Sequence, residues 1–335
     1  MKILVTGGAG YIGSHAVKLL LEKKHRVVVV DNLFRGWREA IDTLTKKFGK
    51  KYLTFYQADL KNFTALNKII KKEKLQGVLH FAALCLVGES MEKPEDYFEN
   101  NILGTLNLLK AMVKNKINNL VFSSTCAVYG ENKYLPIDEK HPTNPVNPYG
   151  ESKLAAEKII SWFGKIHNLK YVILRFFNVS GAAQDGIIGD SKKPSQLLMQ
   201  NAVRGVLGIE PFHLTCPKVK TKDGTPVRDY VNVEDLVNAH LLALKHLARG
   251  GKSDIFNLGT GKGSSVLEIV NEVQKVTGVK FPIKKGQPRP GEYAAVYADN
   301  GKAKRILKWQ PEKTVRDSVL SLVKWYKTHP AGWKY

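Results

Sequence analysis

The chain opens on an apolar strand that runs straight into a glycine turn, Met1-Lys2-Ile3-Leu4-Val5-Thr6-Gly7-Gly8-Ala9-Gly10-Tyr11-Ile12-Gly13. An apolar run without polar alternation is the pattern of a strand buried on both faces, and such strands belong to parallel sheets covered by helices. Gly7, Gly10 and Gly13 form a GxxGxxG turn, in which missing side chains let backbone N–H groups and a helix N-terminus approach a pyrophosphate. A glycine pattern alone can be only a tight turn. Strand before it and helix after it restrict the chain to an α/β fold with a doubly wound parallel sheet of Rossmann type.

The rest of the first half agrees with that restriction. Apolar runs at 3–6, 27–30, 52–56, 78–81, 120–123 and 171–176 read as buried strands separated by helical segments, so ligands should sit beyond the carboxyl ends of the strands. After Asn178 the pattern loosens into loops rich in Gly, Lys and Pro, with helices expected at 196–207, 236–247, 266–277 and 315–327. We expect residues 1–177 and 229–253 to form the dinucleotide-binding unit. Residues 178–228 and 254–335 then form a smaller C-terminal α/β substrate unit, packed closely against the first across a cleft.

A formal charge of +22 raises the question of nucleic acid. The lysines are spread along the chain, as in Lys46-Lys47, Lys71-Lys72 and Lys284-Lys285, without a reading motif or basic-aromatic alternation, so solvated surface charge is the better account and no nucleic-acid partner is expected. No apolar run approaches membrane-spanning length, and the first strand begins at the N-terminus, so a cytoplasmic protein without a membrane partner is expected. Cys85, Cys126 and Cys216 have neither paired nor metal-ligating spacing. Neither a disulfide framework nor a metal site is indicated.

Asp31 follows Val27-Val28-Val29-Val30 about twenty residues after the glycines, where a carboxylate accepts hydrogen bonds from the adenosine ribose and repels a 2′-phosphate. NAD is therefore favoured over NADP, although Arg35 is near. Asp59, at the end of the third strand, offers an adenine contact, a helix N-cap or both together. Phe81-Ala82-Ala83 closes the fourth strand with small residues that suit close packing or cofactor contact. Ser123 and Ser124 could cap a turn, and Thr125 offers a hydroxyl for a substrate oxygen. Tyr149 and Lys153, four residues apart, can share one helix face. An ammonium beside a phenol favours the phenolate, so Lys153 is expected to lower the Tyr149 pKa and make it an acid/base.

With these motifs in order, the chain resembles the extended short-chain dehydrogenase/reductases, and among them the UDP-glucose (UDP-galactose) 4-epimerases. The likeness runs end to end, through Val87-Gly88-Glu89-Ser90, Arg175-Phe176-Phe177-Asn178, residues 223–230, Asn257-Leu258-Gly259-Thr260-Gly261 and Arg289-Pro290-Gly291-Glu292. It implies a retained NAD cofactor, a UDP-sugar substrate, and a 4-keto intermediate formed when Tyr149 takes the C4 hydroxyl proton and hydride leaves C4. It gives Lys153 a second role at the cofactor ribose and puts Thr125 where a serine is usual. It also implies cofactor contacts at Tyr11, Ile12, Asn32, Leu60, Asn100, Ser123 and Phe177. Substrate contacts are implied at Asn178, Gln196, Leu197, Arg228, Arg289 and Glu292. Val296 falls where a bulky residue would exclude an N-acetyl group. A homodimer joined through 101–115 and 153–168 is implied as well. Cys85 departs from the pattern at a position often held by lysine, and Leu214-Thr215-Cys216 lacks a Phe-Gly pair commonly set against uracil.

Two rival functions share the fold. A nucleotide-sugar 4,6-dehydratase needs an acid and a base after the active-site Thr, where this chain has Cys126 and Ala127. A non-catalytic NAD sensor has no need of the Tyr-Lys pair. Within the epimerases, UDP-xylose/arabinose and UDP-GlcNAc/GalNAc stand beside UDP-glucose/galactose as substrates.

Overall fold

In the central strand Lys2–Thr6, Ile3 and Val5 point to one face of the sheet and Leu4 to the other, and all three are fully buried. Val27 and Val29 against Val28 and Val30 repeat this in the next strand. Period-two alternation with both faces apolar requires helices on both sides of the sheet.

The computed structural model describes residues 1–191, 195–286 and 293–333. Among these, seven parallel strands form one sheet in the spatial order Asp254–Leu258, Lys170–Phe176, Asn119–Thr125, Gly77–His80, Lys2–Thr6, Arg26–Asp31 and Leu53–Gln57. The six expected strands are all present, each within two residues of its expected bounds. The order reverses between Lys2–Thr6 and Gly77–His80, which is where a doubly wound sheet opens a crevice at its carboxyl edge.

The seventh strand, Asp254–Leu258, corrects the expected division of the chain. It falls within the residues expected to form the substrate unit, yet it pairs with Lys170–Phe176 as the sheet's edge. The core does not divide at that boundary either. Val203, Ile269, Trp309 and Trp325 of the later segments belong to the same buried cluster as Val5 and Val29. The expected C-terminal helices are observed at Leu198–Val206, Val233–Ala248, Val266–Thr277 and Val315–Thr328. Capping boxes at Ser265/Glu268 and Thr314/Asp317 fix the starts of the last two. Short strands build the substrate side: Asn178–Ser180 pairs with Tyr230–Asn232, Val227–Arg228 pairs with both Ser264–Ser265 and Ala295–Val296, and His213–Leu214 pairs with Lys284–Lys285.

Candidate active site

Gly7 ends the first strand at φ +72, a left-handed conformation that suits glycine. A Cβ there would lie 2.6 Å from the Ala82 backbone nitrogen, and one on Gly13 would lie 2.1 Å from the Gly7 carbonyl oxygen. The turn therefore packs backbone on backbone at the crevice. The helix that follows, Tyr11–Glu22, has no side-chain cap at its N-terminus, so its first N–H groups face the crevice as an anion site needs. Asp31 is only 8% exposed. Its Oδ2 accepts the Ala9 N–H at 3.0 Å and its Oδ1 the Leu33 N–H at 2.8 Å. Burial raises its pKa, and these two hydrogen bonds oppose the rise. Asp59 accepts from Asn32 Nδ2 at 2.9 Å and from the Lys61 N–H at 2.7 Å, while the next helix is capped by Asn62. The N-cap alternative for Asp59 is thereby removed.

The helix Pro148–His167 starts where Asn147 accepts the Gly150 N–H and Pro148 occupies the first turn. That start sets Tyr149 and Lys153 one turn apart on a buried face. The helix is fastened to the sheet by a buried ion pair, Arg175 with Glu157, and by the Ser124 hydroxyl, which donates to Glu157. Ser123 donates to His240 Nε2 at 2.8 Å, because His240 Nδ1 donates to the Leu236 carbonyl. Neither serine caps a turn. That task falls to Thr125, whose hydroxyl oxygen accepts the Ala127 N–H at 3.1 Å.

Tyr149 lines the cleft together with Thr125 and meets Tyr97 edge-on at 6.4 Å between ring centroids. Its pKa is shifted opposite to the expectation. Burial raises it well above the usual phenol range, and the nearby Cys85 and Cys126 thiols add to the rise, outweighing the opposite influence of the Thr125 side chain. Lys153 is 3% exposed and sits with its ammonium 4.3 Å from the Phe122 ring centroid. Burial lowers its pKa to about 8, against opposing contributions from Cys85 and Glu157. Desolvation thus acts on both members, making the phenolate costly and the ammonium only moderately stable.

A buried rope of hydrogen bonds joins this helix to the glycine turn. Thr105 donates to the Asn101 carbonyl, so its oxygen accepts from His80 Nε2 at 3.0 Å, and His80 Nδ1 accepts from Thr6 at 2.7 Å. Asn101 Nδ2 donates to Ser152 at 2.9 Å, and Ser152 donates to the Tyr149 carbonyl. Burial lowers the His80 pKa to about 3, with the Lys153 charge acting in the same direction, so the imidazole is neutral.

One cleft of about 450 Å³ is lined by Gly7, Gly10, Tyr11, Ile12, Gly13, Asp31, Asn32, Asp59, Leu60, Phe81, Ala82, Ala83, Asn100, Ser123, Thr125, Tyr149, Lys153 and Phe177. Every residue expected to touch cofactor or to carry the chemistry is therefore on a single wall. Asn178, Gln196 and Leu197 line both this cleft and an adjoining cavity of about 110 Å³, which Arg228, Leu214, Thr215 and Cys216 help enclose. Val296 lines neither. It pairs with Arg228 between strands and packs beside the cluster that contains Phe177 and Tyr129. Arg289 and Glu292 lie outside the described residues. Sequence reasoning missed Phe34, Gly36, Leu86 and Val87 on the cleft wall. Gly36 carried a signal, since a Cβ there would lie 2.8 Å from Asp31 Oδ1.

Residues 3–259 match the NAD dependent epimerase/dehydratase family. The chain belongs to that family. A UDP-glucose 4-epimerase from Lactobacillus helveticus is 46% identical, over 100% of this chain and 99% of the relative. UDP-arabinose 4-epimerase 1 of Arabidopsis thaliana is 42% identical over 99% of this chain and 80% of its own length. The crystal structure of a UDP-glucose 4-epimerase from Bifidobacterium longum in complex with NAD+ and UDP superposes with a TM-score of 0.93 at 36% identity, covering 99% of this chain and 100% of that one. Family membership makes NAD the cofactor to test against this site. The residues fit it: an uncapped helix N-terminus behind three glycines, a buried carboxylate ending the second strand, and small residues at Ala82 and Ala83. The family spans epimerases and dehydratases, and after Thr125 this chain has Cys126 and Ala127. Cys126 is held neutral, its pKa pushed up to about 12 by burial, and Ala127 has no titratable group. Neither supplies the acid and base of a dehydration.

Proposed function

We propose that the protein is an NAD-dependent UDP-glucose 4-epimerase. The observation that carries this reading is the placement of Tyr149, Thr125 and Lys153 together on one cleft, which continues into the Arg228 cavity with no second acid/base following Thr125. Tyr149 removes the proton from the sugar's C4 hydroxyl and later returns it, while the Thr125 hydroxyl holds the same oxygen. Lys153, protonated at neutral pH, stabilises the phenolate. NAD, when bound, supplies the acceptor and donor of the C4 hydride, and its oxidised form adds a positive charge that opposes the effect of burial on Tyr149. Asn178 and Arg228 hold the UDP group, with Arg228 suited to a diphosphate by its planar fork. Arg289 and Glu292 are assigned to the same task by resemblance.

The exposed side chains Phe98, Leu103, Trp162 and Ile166 lie on neighbouring helical segments and give a homodimer its contact face. Among the described residues no helix is long and apolar enough to cross a membrane, and a cytoplasmic location accords with that. The deciding experiment is a panel of UDP-glucose, UDP-N-acetylglucosamine and UDP-xylose, each incubated with the protein and resolved from its 4-epimer. Conversion of UDP-glucose to UDP-galactose as the fastest reaction supports the assignment, and faster conversion of UDP-xylose assigns the pentose instead. Val296→Tyr sharpens the panel. If Val296 gates the C2 side of the sugar, this variant loses the N-acetylated substrate selectively; if Val296 only packs beside Phe177, all substrates decline together.

A further inference from the structure

Arg35 stands on the loop that wraps the Asp31 carboxylate. The Leu33 N–H on that loop donates to Asp31 Oδ1, Gly36 packs against the same oxygen, and Arg35 lines the cleft with Asp31. An arginine in this place is the group that dinucleotide sites use to receive a 2′-phosphate. Here its guanidinium is engaged. Arg35 Nη2 pairs with Glu89 Oε1, which lies on the helix Val87–Glu92 and so reaches from the loop after the fourth strand to the loop after the second. Glu89 is itself held. Its Oε2 lies 2.8 Å from the hydroxyl of the buried Tyr97, whose one proton it shares with the Leu86 carbonyl at 2.7 Å and whose oxygen accepts the Leu86 N–H at 2.9 Å. The two side chains of the ion pair are 27% and 25% exposed, so water screens it only in part.

We propose that Glu89 is a cofactor-specificity residue: by holding Arg35 it withholds the cation from a 2′-phosphate, and so reinforces the exclusion of NADP by Asp31. Asp31 repels the phosphate, and Glu89 removes the compensation that Arg35 would offer. The inference rests on the adenosine end of the dinucleotide lying at Asp31.

The test is a fluorescence titration of cofactor-stripped protein with NAD and NADP, with extraction of the retained dinucleotide as a second readout. Asp31→Ala alone should narrow the preference for NAD, and if it leaves the ratio of affinities unchanged, the placement of the adenosine fails and this inference falls with it. With the placement upheld, adding Glu89→Gln to Asp31→Ala should tighten NADP about tenfold, the value of one charge-assisted contact, with NAD changed far less. A further Arg35→Met should abolish that gain. Equal changes for both dinucleotides, or a gain that survives Arg35→Met, overturn the proposal. Arg35→Met in the Asp31→Ala background with Glu89 intact needs no folded Glu89 variant. It should alter NADP affinity by less than about twofold, since the cation is already neutralised, and a larger loss would mean that Arg35 reaches the phosphate despite Glu89.

Discussion

The cofactor end of the cleft and its substrate end are built differently. At the first, the chain's own backbone makes the surface: Gly7 against Ala82, Gly13 against Gly7, and an uncapped helix N-terminus. At the second, the wall is assembled from two-residue strands and side chains brought from distant segments, with Asn178, Leu214 and Arg228 drawn together and Arg228 held by the pairing of Val227–Arg228 with Ala295–Val296. A backbone-made surface tolerates little change and recognises a constant shape. One made by side chains can change ligand by substitution, in keeping with relatives named for glucose and for arabinose at nearly equal identity.

Substitutions can break this contrast at several points. The largest effect is expected where the two ends meet. Tyr149→Phe should leave the fold and NAD binding intact and lower kcat by about a thousandfold or more, the contribution of a positioned acid/base, and a folded variant with near-native kcat would remove Tyr149 from the chemistry. Gly13→Ala tests the backbone-made end. Its Cβ would meet the Gly7 carbonyl oxygen, so a loss of about 3 kcal/mol in stability and loss of retained NAD are expected together, by thermal melting and extraction. Arg228→Ala tests the other end: a KM for UDP-sugar raised about thirtyfold with NAD retention unchanged, from the loss of one or two charge-assisted hydrogen bonds. If Gly13→Ala spares NAD or Arg228→Ala releases it, the division between the ends is wrong.

The smallest effect is one of pH. Lys153 has a folded pKa of about 8, below its ordinary value of 10.5, so its ammonium is lost as pH rises through about 8. kcat should therefore fall above that pH. Stability should not fall for this reason. Between about 8 and 10.5 the unfolded chain binds the proton that the folded one has lost, so this group adds stability as pH rises. An alkaline limb in kcat without a parallel fall in melting temperature is the expected pattern.

The same contrast governs what could be read from sequence. Strands such as Arg26–Asp31 are apolar on both faces and several residues long, so their period is visible, and the glycine turn and Asp31 follow at fixed spacing from them. Val227–Arg228 and Ser264–Ser265 are too short to carry a period, and their pairing depends on contacts that spacing does not encode. The edge strand Asp254–Leu258 was assigned to the wrong side because its partner lies far back in the chain. Proximity of Tyr149 to Lys153 was legible, but the direction of the Tyr149 pKa was not. It depends on burial, which is a property of everything packed round the residue. Asp59 and Asn62 both have cap-forming side chains three residues apart, and only the observed start of the helix at Phe63 selects Asn62.

The late return of the chain to the sheet bears on how the protein is made. His240, on the helix Val233–Ala248, packs its ring tilted against Phe81 at 4.6 Å between centroids and receives the Ser123 hydroxyl, and the edge strand arrives only at Asp254–Leu258. A ribosome that has delivered the first 177 residues has thus released six strands, one face of which is covered only by the helices Tyr11–Glu22 and Arg38–Phe48. Contacts of such long sequence separation are slow to form, and the floor of the cleft cannot set until residue 240 has left the exit tunnel. A nascent chain stalled before that point should be sensitive to protease and unable to retain NAD, however complete its glycine turn.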